Sequence, residues 1–189
     1  MKIIDISKGI LTTPVYPGDP EPTLAKVCDR AKGDEINLSI LMACVHTGTH
    51  ADSPHHFLDS DNTIEKLPLE HFIGRCKVTS CIGVADEAFI DALEMNGCKI
   101  LLVKDATGFS ALCTQALINK DITTIGTERA SIGDANVHTA ILGGNIAVLE
   151  NLDLSEVSDG EYFIFAPPIK IEGSDGAFVR AVLLDGFVK

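Results

Sequence analysis

Residues 45–57 read VHTGTHADSPHHF, which places four imidazoles, one carboxylate and two threonines in thirteen positions. His46, His50, Asp52 and His56 follow one another at intervals of four, two and four residues. Imidazole and carboxylate at such close range are the residue types that hold zinc and other divalent cations. A regular helix would set His46 and His50 on one face and turn Asp52 elsewhere, and Gly48, Pro54 and the Ser and Thr residues disfavour a long helix here. A strand end running into a loop fits better, with backbone bends turning the side chains inward. The H-E-x-x-H pattern of zinc proteases is excluded because Thr47 follows His46. G-x-S-x-G, Walker and G-x-G-x-x-G motifs are also absent, so serine hydrolase, nucleotide and dinucleotide readings have no support.

Elements to position these groups are legible around them. Runs rich in β-branched residues predict strands over 3–6, 36–45, 76–82, 100–103, 123–125, 146–149, 162–166 and 179–184. Helices are expected over 86–96, where acidic residues open the first turn and Gly97 stops it, and over 110–119. A third, from about 134 to 142, ends at Gly143 and Gly144 and carries His138. Strands outnumber helices, so the expected class is mixed α/β dominated by sheet. YPGD at 16–19 has the Pro-Gly order of a type II turn, GSDG at 173–176 reads as a tight reversal between strands, and APPIK at 166–170 ends one.

Composition bounds the partners. A length of 189 residues suits one domain spanning 1–189 with a real core, and 46% hydrophobic against 22% charged residues argues against disorder. The net charge of −12, with fifteen scattered Lys and Arg, would repel a phosphate backbone, so neither nucleic acid nor an anionic membrane is an expected partner. The N-terminus lacks a signal-peptide h-region and no apolar run reaches membrane-span length, which predicts a cytoplasmic protein. Six cysteines without a C-x-x-C pair read as free, mostly buried thiols.

The segment HTGTHADSPHHF resembles the H-x-G-T-H-x-D-x-P-x-H signature of the metal-dependent cyclase family, to which bacterial kynurenine formamidases belong. DIS near the start, YPGD at 16–19 and DGAFVRAVL at 175–183 extend the resemblance over nearly the whole chain. It implies a swivelling β/β/α domain, a homo-oligomer (dimer or tetramer), and a site for divalent metal, two zinc ions or manganese. By the same resemblance His138 and Glu150 join His46, His50 and Asp52 as ligands, and His56 is the proton shuttle. On residue types alone His55 competes with His56. Tyr16 stands where kynurenine formamidases carry a substrate-stacking tryptophan.

The implied activity is metal-dependent hydrolysis of an amide in a small molecule, by resemblance an aryl formamide such as N-formylkynurenine. Two departures bear on substrate: the chain has no tryptophan, and the stretch IGTERASIGDANVH lacks the D-T-x-S-V-D segment of true kynurenine formamidases. Opening of a cyclic amide or lactone, as by isatin hydrolases, is therefore the alternative. A non-catalytic metal-binding module is the alternative of another class. Thr47, Gly48 and Thr49 are expected to shape the ligand loop, His71 to be solvated, and Arg180 either to pair with a carboxylate or to cap the last strand.

Overall fold

Four strands form the centre of the sheet: β5 (Ile73–Ala85), β6 (Ile100–Phe109), β7 (Thr124–Thr127) and β8 (Ala147–Glu150). In the computed structural model, which describes residues 1–186, they run parallel and adjacent. Alternation assigns their side chains to two cores. Ile100 and Leu102 join one cluster while Leu101 and Val103 join the other, all of them buried, which is the pattern of a strand covered on both faces. Helices α1 (Glu87–Ala92), α2 (Cys113–Asn119) and α3 (Ala135–Gly143) connect these strands in turn and place Ile90, Leu117 and Ile141 in the second core.

Antiparallel strands extend both sides. β9 (Gly160–Phe165), β11 (Val182–Asp185) and β1 (Lys2–Asp5) flank β5, whereas β4 (His50–Asp52) and β10 (Gly176–Phe178) flank β8, giving the order β1-β11-β9-β5-β6-β7-β8-β4-β10. The sheet curls until the chain beyond its β1 margin meets the chain beyond β8. Ser7, beyond β1, bridges Leu152, beyond β8, and the Asp153 N–H donates to the Ile6 carbonyl at 2.9 Å. Ile6, Phe72, Leu149 and Leu183 fill the concave face, each such fully buried side chain contributing about 1.5–3 kcal/mol. The sheet-dominated α/β class expected from the sequence is the one observed.

Several boundaries differ from expectation for identifiable reasons. The strand expected over 36–45 is only β3 (Leu38–Met42), and it pairs with an unexpected β2 (Thr23–Cys28) in a separate two-stranded sheet. Both strands are exposed on both faces apart from half-buried Cys28, so neither shows the alternation that marks a half-buried strand. The strand expected over 179–184 is only β11 (Val182–Asp185), and a separate β10 (Gly176–Phe178) precedes it. The Val179 N–H goes to Thr49 O, and Ala181 O accepts from Ile6 N, so the chain changes partner at the corner where the curled sheet closes. Helix α1 stops at Ala92, four residues early, because Leu93 turns extended and the chain then buries Met95 before the left-handed turn at Asn96 and Gly97. α2 begins three residues late because 110–112 form a tighter turn, in which Cys113 N donates to Ser110 O. All six cysteines are free, four of them buried. No helix among the described residues is long and apolar enough to cross a membrane.

Candidate active site

The short strand β4 sorts its three residues by alternation. Ala51 enters the concave core, which turns His50 and Asp52 to the helix-covered face. Antiparallel pairing sets His50 opposite Glu150, so both side chains share that face. Helix α3, capped by the Asp134 carboxylate accepting from Asn136 N and Val137 N, holds His138 beside Glu150.

Backbone constraints aim the imidazoles. Gly48 has φ +66°, and a Cβ there would lie 3.2 Å from Lys8 O and 3.1 Å from Ile10 Cα, so glycine alone fits this bend. The Gly48 carbonyl accepts from His50 Nδ1 at 2.9 Å, which leaves Nε2 at 3.4 Å from both Asp52 Oδ1 and Glu150 Oε2. Thr49 Oγ1 accepts from Lys8 N (2.7 Å) and donates to Asn151 O (2.6 Å), tying the loop to both sheet margins. His46 Nδ1 lies 2.9 Å from Asp52 Oδ1. His138 Nε2 lies 3.2 Å from Glu150 Oε1 and 3.8 Å from Asp52 Oδ2, while its Nδ1 faces the Asp134 carbonyl at 3.1 Å.

The structure thus brings His46, His50, Asp52, His138 and Glu150 together. His50, Asp52 and Glu150 offer atoms within 4.8 Å of one another, as do His46, Asp52 and His56. Asp52 is fully buried, yet its Oδ2 has no hydrogen-bond partner among the described residues, and neither has Thr47 Oγ1. A buried unpaired polar oxygen costs about 1–3 kcal/mol, and more when charged, so the donor set fits a cation that this oxygen would bind.

The charges inside the cluster follow from these contacts. Burial disfavours the His50 imidazolium, but Asp52 and Glu150 outweigh it and push its pKa up to about 10. His46 is raised in the same way, with burial opposed chiefly by Asp52, and His138 with burial opposed chiefly by Glu150. Burial acts to raise Asp52, but His46 and His50 hold its carboxyl well below the usual range. His56 behaves oppositely: burial pushes it down and the neighbouring carboxylates only partly compensate.

His56 ends a 3-10 turn over Pro54–His56, with its ring stacked on that of His46 at 3.9 Å and its Nδ1 at 3.3 Å from Asp175 Oδ2. His55 points away, exposed, with Nδ1 at 2.6 Å from Ser60 O, which separates the two candidates left open by residue type. A cavity of roughly 360 Å3 opens beside His56, His46, His50 and His138, and Tyr16, Asp19 and Phe57 line it. Tyr16 begins the expected turn, with Asp19 N donating to Tyr16 O at 3.0 Å and Gly18 at φ +103°, and it is 52% exposed.

Sequence reasoning missed two neighbours. Asp175, read as part of a reversal, contacts both His46 and His56; its place at the head of the DGAFVRAVL match was the available signal. Phe57 stacks on His138 with ring centroids 4.3 Å apart, and no pattern singled it out. One expectation is corrected: His71 is buried, with Nδ1 unpartnered, because its 3-10 turn folds under the sheet and its carbonyl accepts from Thr124 Oγ1. Arg180 pairs with a carboxylate, through Nε and Nη2 to Asp5.

Residues 4–134 match the Cyclase family (Putative cyclase). A kynurenine formamidase of Salinibacter ruber is 32% identical over 98% of both chains. Among solved structures, a potential metal-dependent hydrolase with cyclase activity is 25% identical with TM-score 0.78, covering 96% of each chain. Isatin hydrolase A from Labrenzia aggregata, bound to benzyl benzoate, shares the fold with TM-score 0.82 at 17% identity, covering 96% of this chain and 93% of its own.

Proposed function

The chain belongs to the cyclase family, and on that premise we propose that it is a metal-dependent hydrolase opening a carbon–nitrogen amide bond, with an aryl formamide such as N-formylkynurenine as substrate. The observation that carries this reading is the cluster of His46, His50, His138 and Glu150 around buried Asp52, whose Oδ2 has no hydrogen-bond partner among the described residues, at the edge of a cavity lined by His56. These five residues would hold divalent cations, and we assign two zinc ions, with manganese as the other ion that accepts this nitrogen and oxygen set. When bound, such ions lower the pKa of water from 15.7 to about 7 and stabilise negative charge developing on the attacked carbonyl oxygen.

The chain's own groups supply the rest. His56 is neutral near pH 7, since burial lowers its pKa, and its Nδ1 faces Asp175. Nε2 is then the atom that takes a proton from water and returns it to the departing amine nitrogen. Phe57 and Tyr16 give the cavity aromatic walls for a flat ring. Tyr16→Ala is expected to raise KM for an aryl formamide about 3- to 10-fold with kcat little changed, as steady-state kinetics will read.

A direct test is hydrolysis of N-formylkynurenine, formanilide and isatin before and after chelation, alongside metal analysis. Chelator-sensitive formamide cleavage supports the proposal, and formamidase activity that survives in the His46→Ala, His50→Ala double variant overturns it. Opening of isatin without formamide cleavage favours the second reading, a cyclic-amide or lactone hydrolase, which the missing tryptophan and the isatin hydrolase fold support. The open cavity beside His56 counts against a purely structural metal module, which needs no free base.

We further propose a cytoplasmic homo-oligomer, a setting that suits six free thiols. The hairpin of β2 and β3 supports self-association: Leu24 (55% exposed) sits on one face, Ile40 (59%) and Met42 (66%) on the other. A two-stranded hairpin is marginal alone in water, and a second copy would cover these faces. Wild-type protein is expected to elute as a dimer or tetramer, and Leu24→Asp with Ile40→Asp as a monomer, by light scattering; a monomeric wild type counts against the assignment.

A further inference from the structure

The side chain and the backbone of Asp175 serve different ends. Its carbonyl accepts from both Ser53 N and Ser53 Oγ at 2.9 Å, which fixes the turn entering β10 against the turn that carries His56. Its carboxylate is turned to the imidazoles. Oδ2 lies 2.9 Å from His46 Nε2 and 3.3 Å from His56 Nδ1, so one oxygen addresses two imidazoles whose rings stack at 3.9 Å and 24°. The adjoining Gly176 clears the space this needs: a Cβ there would lie 2.7 Å from His46 Cε1 and 2.8 Å from Ala51 O.

We propose that Asp175 is a positioning residue that selects the tautomer of both His46 and His56. An imidazole donating Nε2–H to Asp175 keeps its Nδ1 lone pair, and in His46 that nitrogen, on the Asp52 side of the ring, would be the one available to hold a cation together with Asp52. In His56 the same oxygen accepts from Nδ1–H, which leaves Nε2 as the basic atom. A single carboxylate oxygen thus sets opposite tautomers in two stacked rings, one for holding metal and one for moving a proton. The inference rests on the proposed hydrolase reading for the role of His56, whereas its His46 half stands independently of any substrate.

Asp175→Asn and Asp175→Ala keep the carbonyl that binds Ser53, so both variants are expected to fold with near-wild-type melting temperature. Zn2+ and Mn2+ affinity is then measured by competition with a chromogenic chelator, and the tautomers of His46 and His56 by nitrogen-15 NMR of the zinc-loaded protein. Expected are an approximately 10- to 100-fold loss of metal affinity in both variants, loss of the single Nε2–H form of His46, and partial rescue by Asp175→Glu. At saturating metal, kcat on a cleaved amide falls while KM holds. Folded variants with unchanged metal affinity and unchanged tautomers overturn the inference. A wild type that cleaves no amide would fail the hydrolase reading alone, because metal affinity and the NMR signature still decide the role of Asp175.

Discussion

Asp52→Asn is expected to lower kcat/KM on a formamide substrate by at least roughly 10^3-fold and to strip most metal from the purified protein, a modest share of the nearly nine pKa units over which a bound cation shifts water. The side chain is completely buried, and its oxygens lie 2.9 Å from His46, 3.4 Å from His50 and 3.8 Å from His138. Asparagine preserves volume and one acceptor, so the packing of β4 between β8 and β10 should survive. What it removes is the negative charge common to three imidazoles and the second oxygen, which has no hydrogen-bond partner among the described residues. Elemental analysis with kinetics in added metal checks this; a variant with wild-type metal content and activity would remove Asp52 from the ligand set.

The same cluster makes metal binding a proton exchange. In the metal-free protein His50 stays protonated up to about pH 10, with His46 and His138 also raised by their carboxylate neighbours, so at pH 7 an entering cation must displace protons. Metal affinity should therefore fall as pH drops. The stability of the metal-free form has the opposite sign. A raised histidine pKa contributes stability that is fully present below the unfolded value of about 6.5 and is lost as pH rises toward the folded value. Melting temperature of chelated protein is thus expected to decline from pH 6.5 to 10, while metal-loaded protein loses stability on the acid side. Thermal scans across pH, with and without chelator, read both slopes; a chelated protein that gains stability over that range contradicts the assigned charges.

The legible parts of this molecule were those in which local pattern and final environment agree. Short apolar runs at the start of β6 and in β8 announced strands, and Asp134 before an apolar segment ending in Gly143-Gly144 announced α3 and the place of His138. The ligand types were equally visible, because His46, His50 and Asp52 are close in sequence as well as in space. Features created by long-range contact were not visible. β2 has no buried face to impose alternation, and the division between β10 and β11 arises only where the curled sheet changes partner. Asp175 lies 129 residues from His46, and its local signal, a Gly-Ser-Asp-Gly turn, describes its backbone correctly while hiding the side chain's contacts. His71 shows the converse error, in which a polar neighbourhood in sequence gave no hint of burial beneath β7.

His55 and His56 provide a control within adjacent positions. His56→Ala is expected to reduce kcat by about 10^2- to 10^4-fold, the range for removing a positioned general acid–base, with bound metal retained. His55→Ala should leave kcat within about twofold, since its exposed ring is spent on the Ser60 carbonyl. The contrast is physical: the 3-10 turn that Pro54 initiates rotates successive side chains to different sides, so one imidazole enters the cavity and its neighbour leaves it. Loss of the His56 ring also removes the stacking partner of His46, so part of any decline could be misplacement of a ligand. His56→Phe separates these effects by keeping an aromatic ring at the stack without a basic nitrogen. Activity as low as in His56→Ala, with wild-type metal affinity, assigns the loss to proton transfer; recovery of activity in His56→Phe would reduce His56 to a packing group.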